Sequence, residues 1–274
     1  MRVGEEEIQV VAGPEALSRS AACVVIRQAQ QSLKARGLFT LSLSGGSTPL
    51  GLYGLLAHDP SIRAQLDWGK IHFFWGDERH VPPDHRDSNY RMAKEALLSE
   101  VPVPAENIHR IRSENSDAQK AAEEYEQTLR HFFHLGEGEF PRFDLVLLGM
   151  GTDGHTASLF PGTEALFERR RLVVVNRVEK FEAYRITLTL PVFNHAAFVL
   201  FLVTGEEKAE TLHVVLEGKG KTERFPAQFI RPSQGRLLWL VDQGAAHRLQ
   251  RLMNKGREEE PCSKSRHRFF QQIS

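Results

Sequence analysis

The chain has 274 residues, 41% of them hydrophobic and 26% charged, with 35 basic side chains against 35 acidic ones. This length supports a large buried core, and the balanced charge creates no bulk field of the kind that draws nucleic acid, although a local cluster of positive groups could still hold a small anion. Cys23 and Cys262 are too few and too far apart for a disulfide framework or a zinc site, and no run of about 18 apolar residues reads as a membrane span.

The opening MRVGEEEIQVV is acidic and lacks the basic start and apolar run of a signal peptide, so the cytoplasm is the expected compartment. From Pro14 to Arg36, Leu17, Ala21, Val24, Val25, Ala29 and Leu33 recur at three- and four-residue steps, which predicts a long helix with Cys23 on its apolar face and Gly37 as its stop. LFTLSLS (38–44) alternates like a strand, and GGSTPL turns the chain into a second helix with Pro49 in its first turn. IHFFW (71–75) reads as a buried strand and GDERHVPPDHRD (76–87) as a polar loop. A helix follows, N-capped by Ser88, with Met92, Ala93, Ala96 and Leu97 inward, and then a helix over 116–134.

Beyond it, FDLVLLG, RLVVVN, RITLTL, AFVLFLVTG and RLLWLVD are strand-like, with EEKAETLHVVLEG as a helix between the last two. Continuous apolar strands alternating with helices predict a Rossmann-like three-layer α/β/α sandwich around a mainly parallel sheet. One domain over residues 1–252 is expected, followed by a polar, mixed-charge tail over 253–274. Ligands of such sheets sit beyond the carboxyl ends of the strands, which brings together the loops at 44–49, 76–87, 149–158 and 204–208.

Each loop has a plain and a functional reading. Gly45, Gly46, Ser47 and Thr48 could be a tight turn, yet glycines before a helix start leave free N–H groups that attract phosphate. No G-K-[ST] follows, which argues against a nucleoside triphosphate. In the second loop most charges read as solvated, and the common metal-ligand spacings are absent around His80 and His85. Asp77 and Arg79, nearest the strand end and on one side of an extended chain, are the pair placed in the site.

The segment FDLVLLGMGTDGHTASLFPGT contains a G-x-G-x-x-G at Gly149, Gly151 and Gly154, but the helix a dinucleotide fold needs is cut off by Pro161-Gly162, and the next strand ends in Asn176 rather than an acid. His155 could be a structural histidine. Beside Asp153 at a strand end, it is better placed as a base facing a cleft. No nucleophile elbow or suitable catalytic cysteine supports a covalent hydrolase. Arg185 and Lys208 read as surface charges unless the sheet order brings them to the first glycine loop, where they would complete an anion clamp.

Taken together, SLSGGSTP, WGDERHVPPDHRDSNYRMAKEALL, FDLVLLGMGTDGHTASLFPG, RITLTLPVFNHA and LVTGEEKAETL resemble the 6-phosphogluconolactonase family in order and interval, over roughly residues 10 to 250. The family is similar to glucosamine-6-phosphate deaminase. The resemblance implies hydrolysis of 6-phospho-D-glucono-1,5-lactone in the oxidative pentose phosphate pathway, with no required cofactor or metal. It implies His155 as the catalytic base, with Asp153 beside it. Phosphate contacts fall on Gly45, Gly46, Ser47 and Thr48, with Arg79, Arg185 and Lys208, and Asp77 matches a proton-transferring Asp of the deaminases. The deaminases carry a ring-opening Glu where this chain has Phe160, and an aromatic where it has Arg79. The tail past about residue 252 exceeds the family pattern. A sugar phosphate lactone is the expected partner, without nucleic acid or membrane, on a monomer, with a homodimer as the alternative. The rival readings are a deaminase or isomerase and a non-catalytic sugar-phosphate sensor.

Overall fold

Where a run is apolar at every position, both sides of the strand must be covered, and this rule places the central sheet of the computed structural model, which describes residues 6–218 and 223–250. The proposed tail over 253–274 and Cys262 lie outside the described residues. Strand β1 (Glu6–Val11) leads into helix α1 (Pro14–Arg36), which ends at Gly37 in the left-handed conformation. Strand β2 (Phe39–Leu43), buried at all five positions, leads into α2 (Ser47–His58) and the short α3 (Pro60–Arg63). Strands β3 (Ile71–Trp75) and β4 (Asp77–Arg79) precede α4 (Asn89–Ala93), whose N-cap is Ser88. A π-helical turn, Lys94–Leu98, continues α4. Then come α5 (Ala118–Phe133), β5 (Leu145–Gly149), β6 (Val173–Val178), β7 (Ala183–Leu188) and α6 (Leu190–His195). Strand β8 (Phe198–Val203), helix α7 (Ala209–Glu217), β9 (Arg236–Asp242) and α8 (Gln243–Ala246) complete the order.

Six strands form one parallel sheet in the order β1-β9-β8-β5-β2-β3. Successive residues of β3 point to opposite faces, which separates the helical layers. Trp75 meets Tyr90 of α4 on one side, while Phe74 packs against Phe132 and Phe133 of α5 on the other. This is the expected three-layer sandwich. Among the described residues no helix is long and apolar enough to cross a membrane.

Two expectations are corrected. RLVVVN and RITLTL do not enter the parallel sheet; as β6 and β7 they pair antiparallel with each other, and β7 pairs antiparallel with β4. Only the short turn Glu179–Phe181 and Glu182 connect β6 to β7, too few residues for the crossover that parallel pairing requires. Asp77–Arg79, expected to be loop, is therefore a strand of this second sheet. The acidic N-terminal segment shows no clear strand pattern, yet it is the edge strand β1, paired along its length with β9.

The last residue of β3 is fixed from the far layer. Buried Tyr125 of α5 donates its hydroxyl hydrogen to the Trp75 carbonyl at 3.0 Å and accepts the Trp75 N–H at 2.9 Å. Tyr125→Phe leaves both buried backbone groups without that partner, and a loss of about 1–3 kcal/mol is expected. Urea denaturation checks this, and an unchanged midpoint would contradict it.

Candidate active site

In the parallel sheet, β3 lies on one side of β2 and β5 on the other, with β8 and β9 beyond β5. The chain therefore changes direction between β2 and β5, and the loops leaving their carboxyl ends diverge to open a crevice. A cleft of about 220 Å³ occupies this point. The segment 44–49, Asp77, Arg79, Asn89, His155 and Lys208 are among the residues that line it. The four loops selected from sequence thus meet at one place. A larger hollow of about 450 Å³ along α5, lined by His109, Arg112 and His131 among others, contains none of the selected residues.

One wall is the β2–α2 turn. Gly46 has φ 105°, a region that favours glycine, and precedes a twelve-residue helix that has no side-chain cap hydrogen bond. Tyr53 anchors the start of the turn by bonding both the N–H and the carbonyl of Ser44. Thr48 shares a 2.8 Å hydroxyl contact with Thr204 and so ties this turn to the β8–α7 loop, where Lys208 sits. Lys208 is half-buried and makes no hydrogen bond or ion pair among the described residues. Burial pushes its pKa down, against the opposing pull of Glu207 and Asp242. An unpaired, partly desolvated ammonium facing a helix N-terminus suits an anionic group.

The opposite wall carries the Asp–His pair. His155 Nδ1 lies 2.5 Å from Asp153 Oδ1, which also accepts the His155 backbone N–H at 3.2 Å. Because a carboxylate only accepts, Nδ1 bears the hydrogen and Nε2 is left with its lone pair. Phe160 stacks on the ring, with centroids 4.2 Å apart, and the imidazole side chain stays 28% exposed, enough to meet a ligand. Burial alone would raise the Asp153 pKa. The hydrogen bonds from His155 and the charges of His155 and Lys180 together outweigh it and hold this carboxyl well below the usual range. The loop is braced by bonds from Thr156 to Gly149, Thr211 to Thr152, and Ala227 to Gly154. Ala157, at φ 48°, takes a left-handed conformation that costs a non-glycine residue about 1–2 kcal/mol, strain concentrated beside the cleft.

The floor comes from β4. Asp77 is buried, and its two oxygens accept from Asn89 at 3.2 Å and from Ser158 at 2.6 Å. Arg79 projects from the same side, its Nη1 donating to the Asp87 carbonyl. Arg185 is its cross-strand partner on β7 and does not line the cleft, because β4 intervenes. Burial pushes the Arg185 pKa down and the neighbouring Arg79 adds to it. Two facing arginines repel, so an anion bound near Arg79 would relieve both.

The view that most charges of 76–87 are solvated fails at Glu78. It is 1% exposed and accepts from the backbones of Arg79, Asn89 and Tyr90 and from the Ser88 hydroxyl. Burial pushes its pKa up, outweighing the backbone N–H groups of Asn89, Tyr90 and Arg79 that pull it down, with the Asp77 charge adding to the rise. Glu78 thereby binds the start of α4 to β4 and holds Asp77 and Arg79 in place. His80 bonds the Asn115 carbonyl and His85 lies exposed near Asp87, so neither enters the cleft. Asn89, Ser158 and Glu78 were missed from sequence; the only local sign was that Asn89 follows the helix cap.

An open α/β sheet with an anion-ready helix start facing an Asp–His pair across its switch point defines the class as a small-molecule enzyme suited to an anionic substrate. The family model described as glucosamine-6-phosphate isomerases/6-phosphogluconolactonase matches residues 12–239, and the chain belongs to that family. It is 44% identical over 245 residues to a protein of a Nostoc strain named 6-phosphogluconolactonase, covering 89% of this chain and 99% of that one. A Synechocystis protein of the same name is 45% identical over 234 residues, 85% of this chain and 94% of its own. The solved structure of 6-phosphogluconolactonase from Trypanosoma cruzi superposes with a TM-score of 0.79 at 32% identity, covering 91% of this chain and all of that one.

The Asp–His geometry depends on a glycine. A Cβ on Gly151 would lie 2.1 Å from His155 Nδ1 and 2.8 Å from Asp153 Oδ1. Gly151→Ala should keep the fold, displace the imidazole and lower turnover by about 10²-fold, the usual cost of a misplaced catalytic group. Circular dichroism with steady-state kinetics checks it, and a folded variant with full turnover would contradict it.

Proposed function

We propose that this chain hydrolyses 6-phospho-D-glucono-1,5-lactone to 6-phospho-D-gluconate, with His155 as general base. The family and its similarly named relatives support the substrate class. The observation that carries the mechanism is that the open face of the His155 imidazole and the helix start at 46–48 share one cleft.

The phosphate is anchored by the backbone N–H groups at 46–48, the hydroxyls of Ser47 and Thr48, and Lys208. Binding there presents C1 of the lactone to His155. Nε2 takes a proton from water, the resulting hydroxide attacks C1, and the ring C–O bond breaks as the imidazolium returns that proton to the departing oxygen. Asp153 stabilises the imidazolium between the two steps. The N–H groups of Gly151 and Gly154 are already bonded to the carbonyls of His155 and Gly151, which leaves Arg79 better placed to stabilise the oxyanion. With both its oxygens engaged, Asp77 shapes the floor instead of exchanging protons. Arg185 supports Arg79 from behind.

A ring-opening deaminase needs a carboxyl acid near its base. Here Phe160 covers that side of the imidazole, which favours the lactonase over the deaminase reading. A monomer in the cytoplasm is the proposed working unit, with a homodimer as the alternative.

His155→Ala should retain the fold and the affinity for 6-phosphogluconate while losing about 10²- to 10⁴-fold in turnover, the range of general-base catalysis. The assay is base consumption with freshly made lactone, corrected for spontaneous opening. Near-normal turnover would remove His155 from the chemistry. Ammonia release from glucosamine 6-phosphate would favour the deaminase.

A further inference from the structure

The Asp153 carboxylate has two oxygens and serves two cations. Oδ1 faces His155, whereas Oδ2 lies 3.6 Å from the ammonium of Lys180. Lys180 is on neither the catalytic loop nor the parallel sheet. It comes from the turn between β6 and β7, Glu179–Phe181, which is closed by Glu182 in the left-handed conformation. The second sheet thus reaches back over the β5 loop and touches the dyad on the side away from the imidazole.

We infer that Lys180 is a positioning residue for the Asp153–His155 pair, holding the second carboxylate oxygen so that the first points at Nδ1 and setting how strongly that carboxylate favours the imidazolium. The inference rests on the reading of His155 as general base. A cation on Oδ2 spends part of the negative charge of Asp153, and it also repels the positive imidazolium formed during the reaction. Removing it would strengthen the hold of Asp153 on imidazolium and keep His155 protonated to higher pH. A packing role would predict no such directional effect.

Other charges see the same ring. Asp77, Arg79 and Lys208 line the cleft with it, and Arg224 flanks Phe225, which packs on Gly154. Within the turn, Glu179 and Glu182 flank Lys180 and partly offset it. Among these groups only Lys180 pairs with Asp153, and its side chain is 64% exposed, so replacing it should not unfold the chain. That exposure limits the effect, because charges several ångströms apart near water interact weakly.

The test is the pH profile of kcat/KM for Lys180→Met, Lys180→Glu and Lys180→Arg. Lys180→Met should move the acid limb up by about half a pH unit, roughly a threefold loss of kcat/KM on that limb. Lys180→Glu should move it further in the same direction, and Lys180→Arg should leave it in place. NMR titration of the His155 ring proton in the same variants reads the change directly. Coincident limbs and titrations for wild type and Lys180→Glu would overturn the inference, whatever happens to KM. Failure of the general-base reading would look different, since His155→Ala would then keep its turnover.

Discussion

The pairing of β2 with β5 is the constraint on which the rest depends. Leu41 faces Leu145 and Ser42 faces Val146, so the two strands end side by side although they are about a hundred residues apart in sequence. One ends in a glycine turn and a helix start, the other in a glycine loop with an Asp and a His. Neither loop is a site alone: under the proposed function the first would hold the phosphate and the second would carry the base. Their adjacency puts the helix start and the imidazole in one cleft, as the proposed mechanism requires.

The second sheet supplies what the first cannot. β4 continues from β3 through Gly76, whose N–H bonds Leu43 and whose carbonyl accepts from Leu188, so both sheets are joined at the cleft floor. Asp77 and Arg79 project from this junction, Glu78 fixes it to α4, and Ser158 ties it to the loop after β5. Buried, multiply bonded carboxylates such as Asp77 and Glu78 are expensive to place and rigid once satisfied, which suits groups that must stay still while a substrate changes shape.

The buried strands were legible because an apolar run of five or six residues has few other uses. The glycine loops and the Asp–His pair were legible because they directly follow such runs. β1 was obscured by its acidic start, and β4 by a charge density that resembles solvated loop. Asn89 and Ser158 meet Asp77 across 12 and 81 residues of chain, and no local pattern announces such contacts. Arg185 reads as a surface charge unless the sheet order brings it to the first glycine loop, where it would complete an anion clamp. Its strand belongs to the other sheet, which sets it behind Arg79.

The central claim is an orientation, with the phosphate at the β2–α2 turn and C1 at the imidazole, and a crystal structure of the complex with 6-phosphogluconate tests it most directly. The phosphate should contact the backbone at 46–48 and Lys208, with the product carboxylate within hydrogen-bond reach of His155 Nε2. A product lying the other way round, or bound in the hollow along α5, would contradict the account.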